Sequence, residues 1–480
     1  MRDVVFAAIN AALVKGARYA DARVVDTREE QISIADGRVD AIGSGESFGI
    51  GVRVIADGSW GFAASAEVSV ESAERLGRRA VEVARSSANV AGAPINLTDV
   101  DRYETTWTGP CEIDPFEVSL EDKIDLLLAA DRAMRSESAV KLTKSSLGFH
   151  RVHKYFASSE ESYIEQSYVE SGAGISALAI SDGEVLTRSY PNSFGGNWLQ
   201  GGFEIIRGFD LVSHAPRVAE EAAALLTAAP CASGTTDLII DSSQLGLQIH
   251  ESIGHPTELD RVLGDEAAFA GTSFLGIPDL SRLKYGSEHV TVTADATVPG
   301  SIGSFGFDDE GVPAQRDHII TEGTLTGFLT SRESARSIMR TSNGCMRADG
   351  WNRIPLIRMT TVSLEPGEWS LDDLIADTDD GLYVETNNSW SIDDKRLNFQ
   401  FACEIGWEIK NGKRTRMVKN PNYTGITPQF WNSCDAVCSR DHWQVWGLPN
   451  CGKGEPIQIA HVAHGASPAR FRNVQVGVGR

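Results

Sequence analysis

His250, Glu251 and His255 lie close together in the run His250-Glu251-Ser252-Ile253-Gly254-His255, near the middle of a chain that holds ten histidines. Neutral imidazole is the commonest zinc ligand, and a carboxylate beside the first histidine can take a proton from an attacking water without binding the ion. The pattern points to metal-assisted hydrolysis, with His250 and His255 as ligands and Glu251 as base. The spacing, however, is not that of a straight α-helix. Four residues advance such a helix by about 400° and bring two side chains to one face, whereas five advance it by about 500° and leave them roughly 140° apart. The competing reading is a pair of polar residues capping a helix end.

A catalytic zinc has three protein ligands and an open fourth position, so two histidines need a partner elsewhere. Cys451 stands in Gly447-Leu448-Pro449-Asn450-Cys451-Gly452-Lys453-Gly454, where glycines allow close backbone approach and Lys453 favours a thiolate. Cys434 and Cys438, four apart, are alternatives, and a buried apolar thiol is the ordinary reading for any one cysteine. His461 and His464 follow in a Gly-containing stretch read as a loop, where they could hold a peptide carbonyl or its oxyanion. Asp308-Asp309-Glu310 fits a turn whose acids cap backbone amides or face solvent better than a hard-cation site. Trp431, Trp443 and Trp446 read as core or interface, with an aromatic wall to a peptide groove as the other option.

These residues need particular elements to place them. Asp241-Ser242-Ser243 is an N-cap run, and Leu245, Ile249 and Ile253 form an apolar stripe, which predicts a helix over about 243–253. Gly254 suits a left-handed C-cap, and Pro256 disfavours α geometry at His255. The second histidine is therefore expected just past the helix end, with its ring swung back toward His250. Upstream, a helix over about 4–15 precedes a meander of short strands at 19–25, 31–34, 39–42, 48–55 and 59–64. Helices opened by Ser69 and by Ser119, a second strand series from 139 to 190 and a helix over about 211–227 follow, so the order helix, strands, helix occurs twice. Ala228 to Gly234 is small, uncharged and Pro-containing, as a boundary would be, and the chain beyond it reads mostly as strands and turns. The expected fold is α+β in two domains: residues 1–230, helices packed on largely antiparallel strands, and residues 235–480, a β-rich barrel or sandwich carrying the metal-site helix.

With 480 residues, 66 acidic against 44 basic, the formal net charge is −22, which argues against a phosphate-backbone partner and so against nucleic acid. No apolar run approaches the roughly 18 to 20 residues of a membrane span. Seven scattered cysteines do not form a disulfide framework, and a cytoplasmic protein with reduced thiols is expected.

Several segments resemble the TldD/PmbA family of metallopeptidases: the 250–255 run with Glu258 and Asp260, Ala270-Gly271-Thr272-Ser273-Phe274, Asp308 to Pro313, Arg358-Met359-Thr360, Asn450 to Gly454, and Phe471 to Gly477. They occur in family order from about residue 239 onward. The resemblance implies an α/β first domain and a β-rich second one, in a dimer that encloses a cavity with zinc inside. It also implies His250, His255 and Cys451 as ligands and Glu251 as the catalytic residue. Pro256 stands where the family often has Gly, which should restrict the exit from the site. The expected activity is zinc-dependent hydrolysis of short or unfolded peptides, by a homodimer or a heterodimer with a PmbA/TldE-like subunit. The alternatives are a non-catalytic zinc-stabilised structural or partner subunit, whose closed site would need a fourth ligand such as Cys434 or Cys438, and, less well supported by its spacing, a thiol redox protein using that pair.

Overall fold

Three Asp-Gly pairs, at 36–37, 57–58 and 182–183, each place both residues in the left-handed region, with φ between 50° and 82°. Asp and Gly tolerate that conformation, which gives the two-residue turn whose twist matches a hairpin. These turns shape the first half of the chain in a computed structural model that describes residues 1–90, 92–269 and 271–477. An eight-stranded sheet runs in the order Ser59–Ser65, Arg38–Ala56, Tyr19–Ala35, Val140–Ser158, Tyr163–Ser181, Glu104–Thr108, with Glu184–Tyr190 and Asn197–Gln200 also paired to Tyr163–Ser181. The meander of short strands is corrected here. Tyr19–Ala35 and Arg38–Ala56 are continuous, because the charged run Thr27 to Glu30 and the glycines opposite it keep their backbone pairing, Thr27 with Ser47 and Glu29 with Gly45. Exposure on the hairpin's outer part changes residue types without breaking the ladder.

Helices Arg2–Val14 and Val70–Ser87 pack on the first hairpin through Val5, Ile9, Ala80 and Val81, and Leu120–Met134 and Leu211–Thr227 on the second through Leu127, Met134, Val218 and Ala222. Ser69 and Ser119 cap two of these helices, each accepting a backbone N–H at 3.1 Å.

After residue 233 the architecture becomes β-rich. The strands Asp380–Ile392, Gly234–Ile240, Ala469–Val476, Asn422–Ile426 and Asn398–Lys410 follow one another and close into a barrel when the first pairs with the last. A six-stranded sheet lies beside it, ending in Thr361–Leu364, Gln458–Ala466 and Gln444–Lys453. The expected loop at His461 and His464 is corrected to a strand, and the structure places Cys451, His461 and His464 on one hairpin.

The helix Ser242–Ile249 lies between barrel and sheet. Leu245, Ile249 and Ile253 enter one core with Leu238, Val384, Val362 and Val462, each such side chain contributing about 1.5–3 kcal/mol by burial. Its polar face is also anchored: Gln244 donates to Tyr423 Oη, Tyr423 to Gln248, Gln248 to Ser252, and Trp431 Nε1 to Ser252 Oγ. Trp431 is thus a core residue.

Asp308, Asp309 and Glu310 are buried and tie the two halves together. Asp308 accepts backbone N–H bonds from Glu310, Val312 and Met346, Asp309 pairs with Lys154 and Arg23, and Glu310 pairs with Arg53. The capping expectation holds for all three, since Asp309 also accepts the Ala348 N–H and Glu310 the Arg332 N–H, and none of them faces solvent. Among the described residues no helix is long and apolar enough to cross a membrane.

Candidate metal centre

The five-residue spacing is resolved by a π turn. The α-helix ends at Ile249, and over His250–Gly254 the bonding widens so that the His255 N–H donates to the His250 carbonyl, i to i+5. One extra residue per turn brings positions 250 and 255 into line, and the two rings stand 4.6 Å apart at 81°. The predicted helix stop is therefore corrected. Gly254 is right-handed, with φ −56° and ψ −63°, and the chain passes without a break into a 3₁₀ turn over His255–Thr257. Gly254 is needed for space instead, since a Cβ there would strike the thioether of Met359.

A bulge delivers the third donor. In the hairpin Gln444–Lys453 and Gln458–Ala466, Leu448 faces Val462 but Cys451 faces Ala460, so one extra residue sits near Pro449 and Asn450. Directly paired residues share a face, so the extra residue puts Cys451 on the same side as His464, toward the helix. Regular pairing would put Asn450 there. Sγ of Cys451 lies 3.8 Å from His255 Nε2, and donor atoms of His250, His255 and Cys451 all fall within 4.8 Å of one another, with all three residues buried.

The hydrogen bonds fix the tautomers. His464 Nδ1 meets the Val362 carbonyl at 3.1 Å, so that nitrogen carries the proton and Nε2 is an acceptor. His250 Nδ1 lies 2.8 Å from this Nε2 and must donate to it, which leaves a lone pair on His250 Nε2. His255 Nδ1 donates to Glu258 Oε2 at 3.0 Å, leaving its own Nε2 open. Each ring thus offers the metal an unprotonated nitrogen and is held from behind, as ligating histidines are. His464 is occupied at both nitrogens, so the expectation that it binds substrate is replaced by a place behind His250.

The electrostatics agree. Burial pulls His250 down to about 4 and lowers His255, so both are neutral near pH 7. Burial raises the Cys451 thiol, but the Arg358 guanidinium and His255 outweigh it and the net direction is down, toward the thiolate. Arg358 also bonds the backbone carbonyls of Cys451 and Gln458. Glu258 is held well below the usual carboxylate range: its burial is outweighed by Lys453, His255 and Arg261. Lys453 in turn donates to Asp260 at 2.8 Å. Two neutral imidazoles and a thiolate, converging with lone pairs free, fit zinc.

Glu251 is buried beside this cluster and its carboxylate is ion-paired with Arg396. No sequence signal singled out Arg396, which comes from the turn between Asp380–Ile392 and Asn398–Lys410. Cys434 and Cys438 lie outside the cluster, and burial pushes both thiols up to about 12. That protonation disfavours the redox reading. His461 points to the opposite face of its strand from His464 and contacts Glu170, which also receives His150. Burial raises Glu170, but His461 and His150 outweigh it and hold the carboxyl down to about 2. Of the motif Ala270 to Phe274, Ala270 lies outside the described residues, and Ser273 donates to the Pro256 carbonyl at 2.8 Å.

His250 opens onto a narrow pocket lined by Asn192, Phe194, Asn387, Trp446 and Leu448. Asn192, Phe194 and Asn387 also line a larger cavity of about 490 Å³ between the first sheet and the barrel.

Sequence profiles described as PmbA/TldA metallopeptidase domain 1, central domain and C-terminal domain match residues 20–84, 113–229 and 233–478. A metalloprotease of Methanocaldococcus jannaschii is 31% identical over 442 residues, 92% of this chain and 94% of its own. The fold is shared with a Thermotoga maritima protein described as a candidate modulator of a DNA gyrase, at TM-score 0.77 and 18% identity over 98% of both chains. TldE from Thermococcus kodakarensis superposes with a TM-score of 0.71 at 16% identity, over 98% of this chain and 99% of its own. With a C-terminal profile spanning over half its length and a relative of this identity along nearly all of it, the chain belongs to the TldD/PmbA family of metallopeptidases.

Proposed function

We propose that this chain is a zinc-dependent peptidase acting on short or unfolded peptides. The observation that carries the reading is the donor set itself: His250, His255 and Cys451 converge with their lone pairs free, next to a buried carboxylate that binds none of them. Zinc held there would polarise a peptide carbonyl and make a water a better nucleophile near neutral pH. Glu251 takes the proton of the attacking water and returns it to the leaving amine nitrogen. Arg396 fixes the direction of the Glu251 carboxylate until the substrate arrives. Glu258 and His464 keep the two imidazoles in the ligating tautomer. A thiolate ligand donates more charge than a third imidazole, so turnover is modest.

The larger cavity has room for part of an extended chain, and the narrow pocket that joins its lining to His250 excludes a folded domain. The same reading takes residues 1–230 and 235–480 as the two domains of a chain that pairs with a second copy or a TldE-like partner, in the cytoplasm. A closed structural site is disfavoured, because among the described residues no fourth ligand joins the cluster.

The test is zinc content and cleavage of an unstructured peptide library, on the wild type before and after chelation and on Cys451→Ser. Bound zinc and chelator-sensitive cleavage are expected, with Cys451→Ser losing about one zinc per chain and most of the cleavage. Cleavage that survives chelation, or a Cys451→Ser protein with wild-type zinc and rate, would refute the reading.

A further inference from the structure

His150, Glu170 and His461 form a separate cluster, contributed by the first sheet and by the hairpin that carries Cys451. His150 and Glu170 are direct partners in the pairing of Val140–Ser158 with Tyr163–Ser181, so their side chains stand together on one face. His461 meets them from the other sheet. Its Nδ1 contacts Glu170 Oε2, and His150 Nδ1 lies 3.3 Å from the same oxygen. Donor atoms of all three fall within 4.8 Å of one another.

The surroundings resemble a ligand shell. In the metal-free chain His150 Nδ1 donates to Glu170, while Glu29, the cross-strand partner of His150, places Oε1 3.6 Å from His150 Nε2, where it would stand against the ring's remaining proton once an ion displaces the one on Nδ1. The His461 ring packs against His150 and Trp198, and Arg347 donates to the His461 carbonyl at 2.6 Å. Glu170 is 2% exposed, while the His150 and His461 side chains are 17% and 23% exposed. An ion can therefore reach the cluster, and water can complete its coordination. Two imidazoles and one carboxylate suit a borderline divalent ion such as zinc, cobalt or nickel better than magnesium or calcium, which prefer oxygen.

We propose that His150, Glu170 and His461 are a second divalent transition-metal site, which clasps the first sheet to the strand Gln458–Ala466. That strand carries His464 on its opposite face, against His250, so an ion here also steadies the ring behind the first centre.

The experiment is a Co²⁺ titration of the metal-free full chain, read by bound metal per chain and by the visible and near-ultraviolet spectrum. A thiolate-to-cobalt charge-transfer band marks the Cys451 centre and is absent from a His/carboxylate site. Two equivalents are expected for the wild type. Glu170→Gln and His461→Ala should each bind one, with the thiolate band intact, and Cys451→Ser should bind one without the band. His461→Ala removes a partly exposed side chain, so it decides the matter if Glu170→Gln fails to fold. A wild type that binds one equivalent with the full band, or a His461→Ala protein that still binds two, would overturn the second site. A wild type that binds one equivalent without the band would overturn the Cys451 centre and leave this one standing.

Discussion

The two histidine clusters are built in opposite ways. At the first, every donor depends on a backbone irregularity: the π turn aligns His250 with His255, and the one-residue bulge turns Cys451 to their side. At the second, Glu29, His150 and Glu170 simply follow regular cross-strand pairing. Irregular backbone weakens regular bonding and persists only where the surrounding structure holds it, which here is the clamp of Gln248, Ser252, Tyr423 and Trp431 around the helix. The first cluster is also the more deeply buried, opening only onto the narrow pocket beside His250, and its imidazoles are locked by Glu258 and His464, whereas the second is open at its edge. Buried and preset donors suit chemistry, and an accessible cluster between two sheets suits a joint.

The sharpest way to break the contrast is to remove a lock. His464→Leu keeps the three ligands but lets His250 change tautomer, and a loss of about 10- to 100-fold in metal affinity at the Cys451 centre is expected, measured by competition with a chromophoric chelator. His461→Ala, on the other face of the same strand, should leave that affinity within a few-fold. Equal losses would mean that the strand acts only as a packed element and the tautomer argument fails.

A smaller effect separates the clusters by the sign of their pH dependence. In the metal-free protein His250 is lowered from 6.5 to about 4 by burial. The unfolded chain then takes up a proton that the folded chain refuses, so this contribution is full above about 6.5 and is lost as pH falls toward about 4, by up to about 3 kcal/mol. His150 runs the other way. Burial lowers it, but Glu170 outweighs burial and the net shift is upward, so its contribution is present below 6.5 and is lost as pH rises through its folded value. Urea unfolding of metal-free protein across this range should show His250→Gln flattening the acid limb and His150→Gln lowering stability most at acid pH. The same slope in both variants would remove the distinction.

Much of the first site was legible because its residue types are rare and its motifs are local. The run from His250 to His255 announced the ligands, and its spacing ruled out a straight helix. The device that reconciles it was not legible: Gly254 and Pro256 look like a helix stop, yet Gly254 is there to clear Met359, a contact set by tertiary packing. The hairpin bearing Cys451 gave no strand pattern, because Gly447, Pro449, Gly452 and Gly454 interrupt any alternation, whereas Gly447 packs against the backbone of Trp198 and Pro449 sits at the bulge. Arg396 and Glu170 gave no signal, since Arg396 meets Glu251 across 145 residues of chain and Glu170 meets His461 across 291, and its nearer partner His150 depends on the register of a long hairpin. The barrel was expected as one of two β-rich options, and its closure rests on one long hairpin, Asp380–Ile392 with Asn398–Lys410.

The most direct test of the account is Glu251→Gln, assayed beside the wild type for metal content and peptide cleavage. Glutamine fills the same space and can keep a hydrogen bond with Arg396, but it cannot take a proton from water. The Cys451 centre should load with zinc as in the wild type while cleavage falls by about 100- to 10,000-fold. Cleavage at the wild-type rate by a zinc-loaded Glu251→Gln protein would show that Glu251 is not the base and would contradict the mechanism.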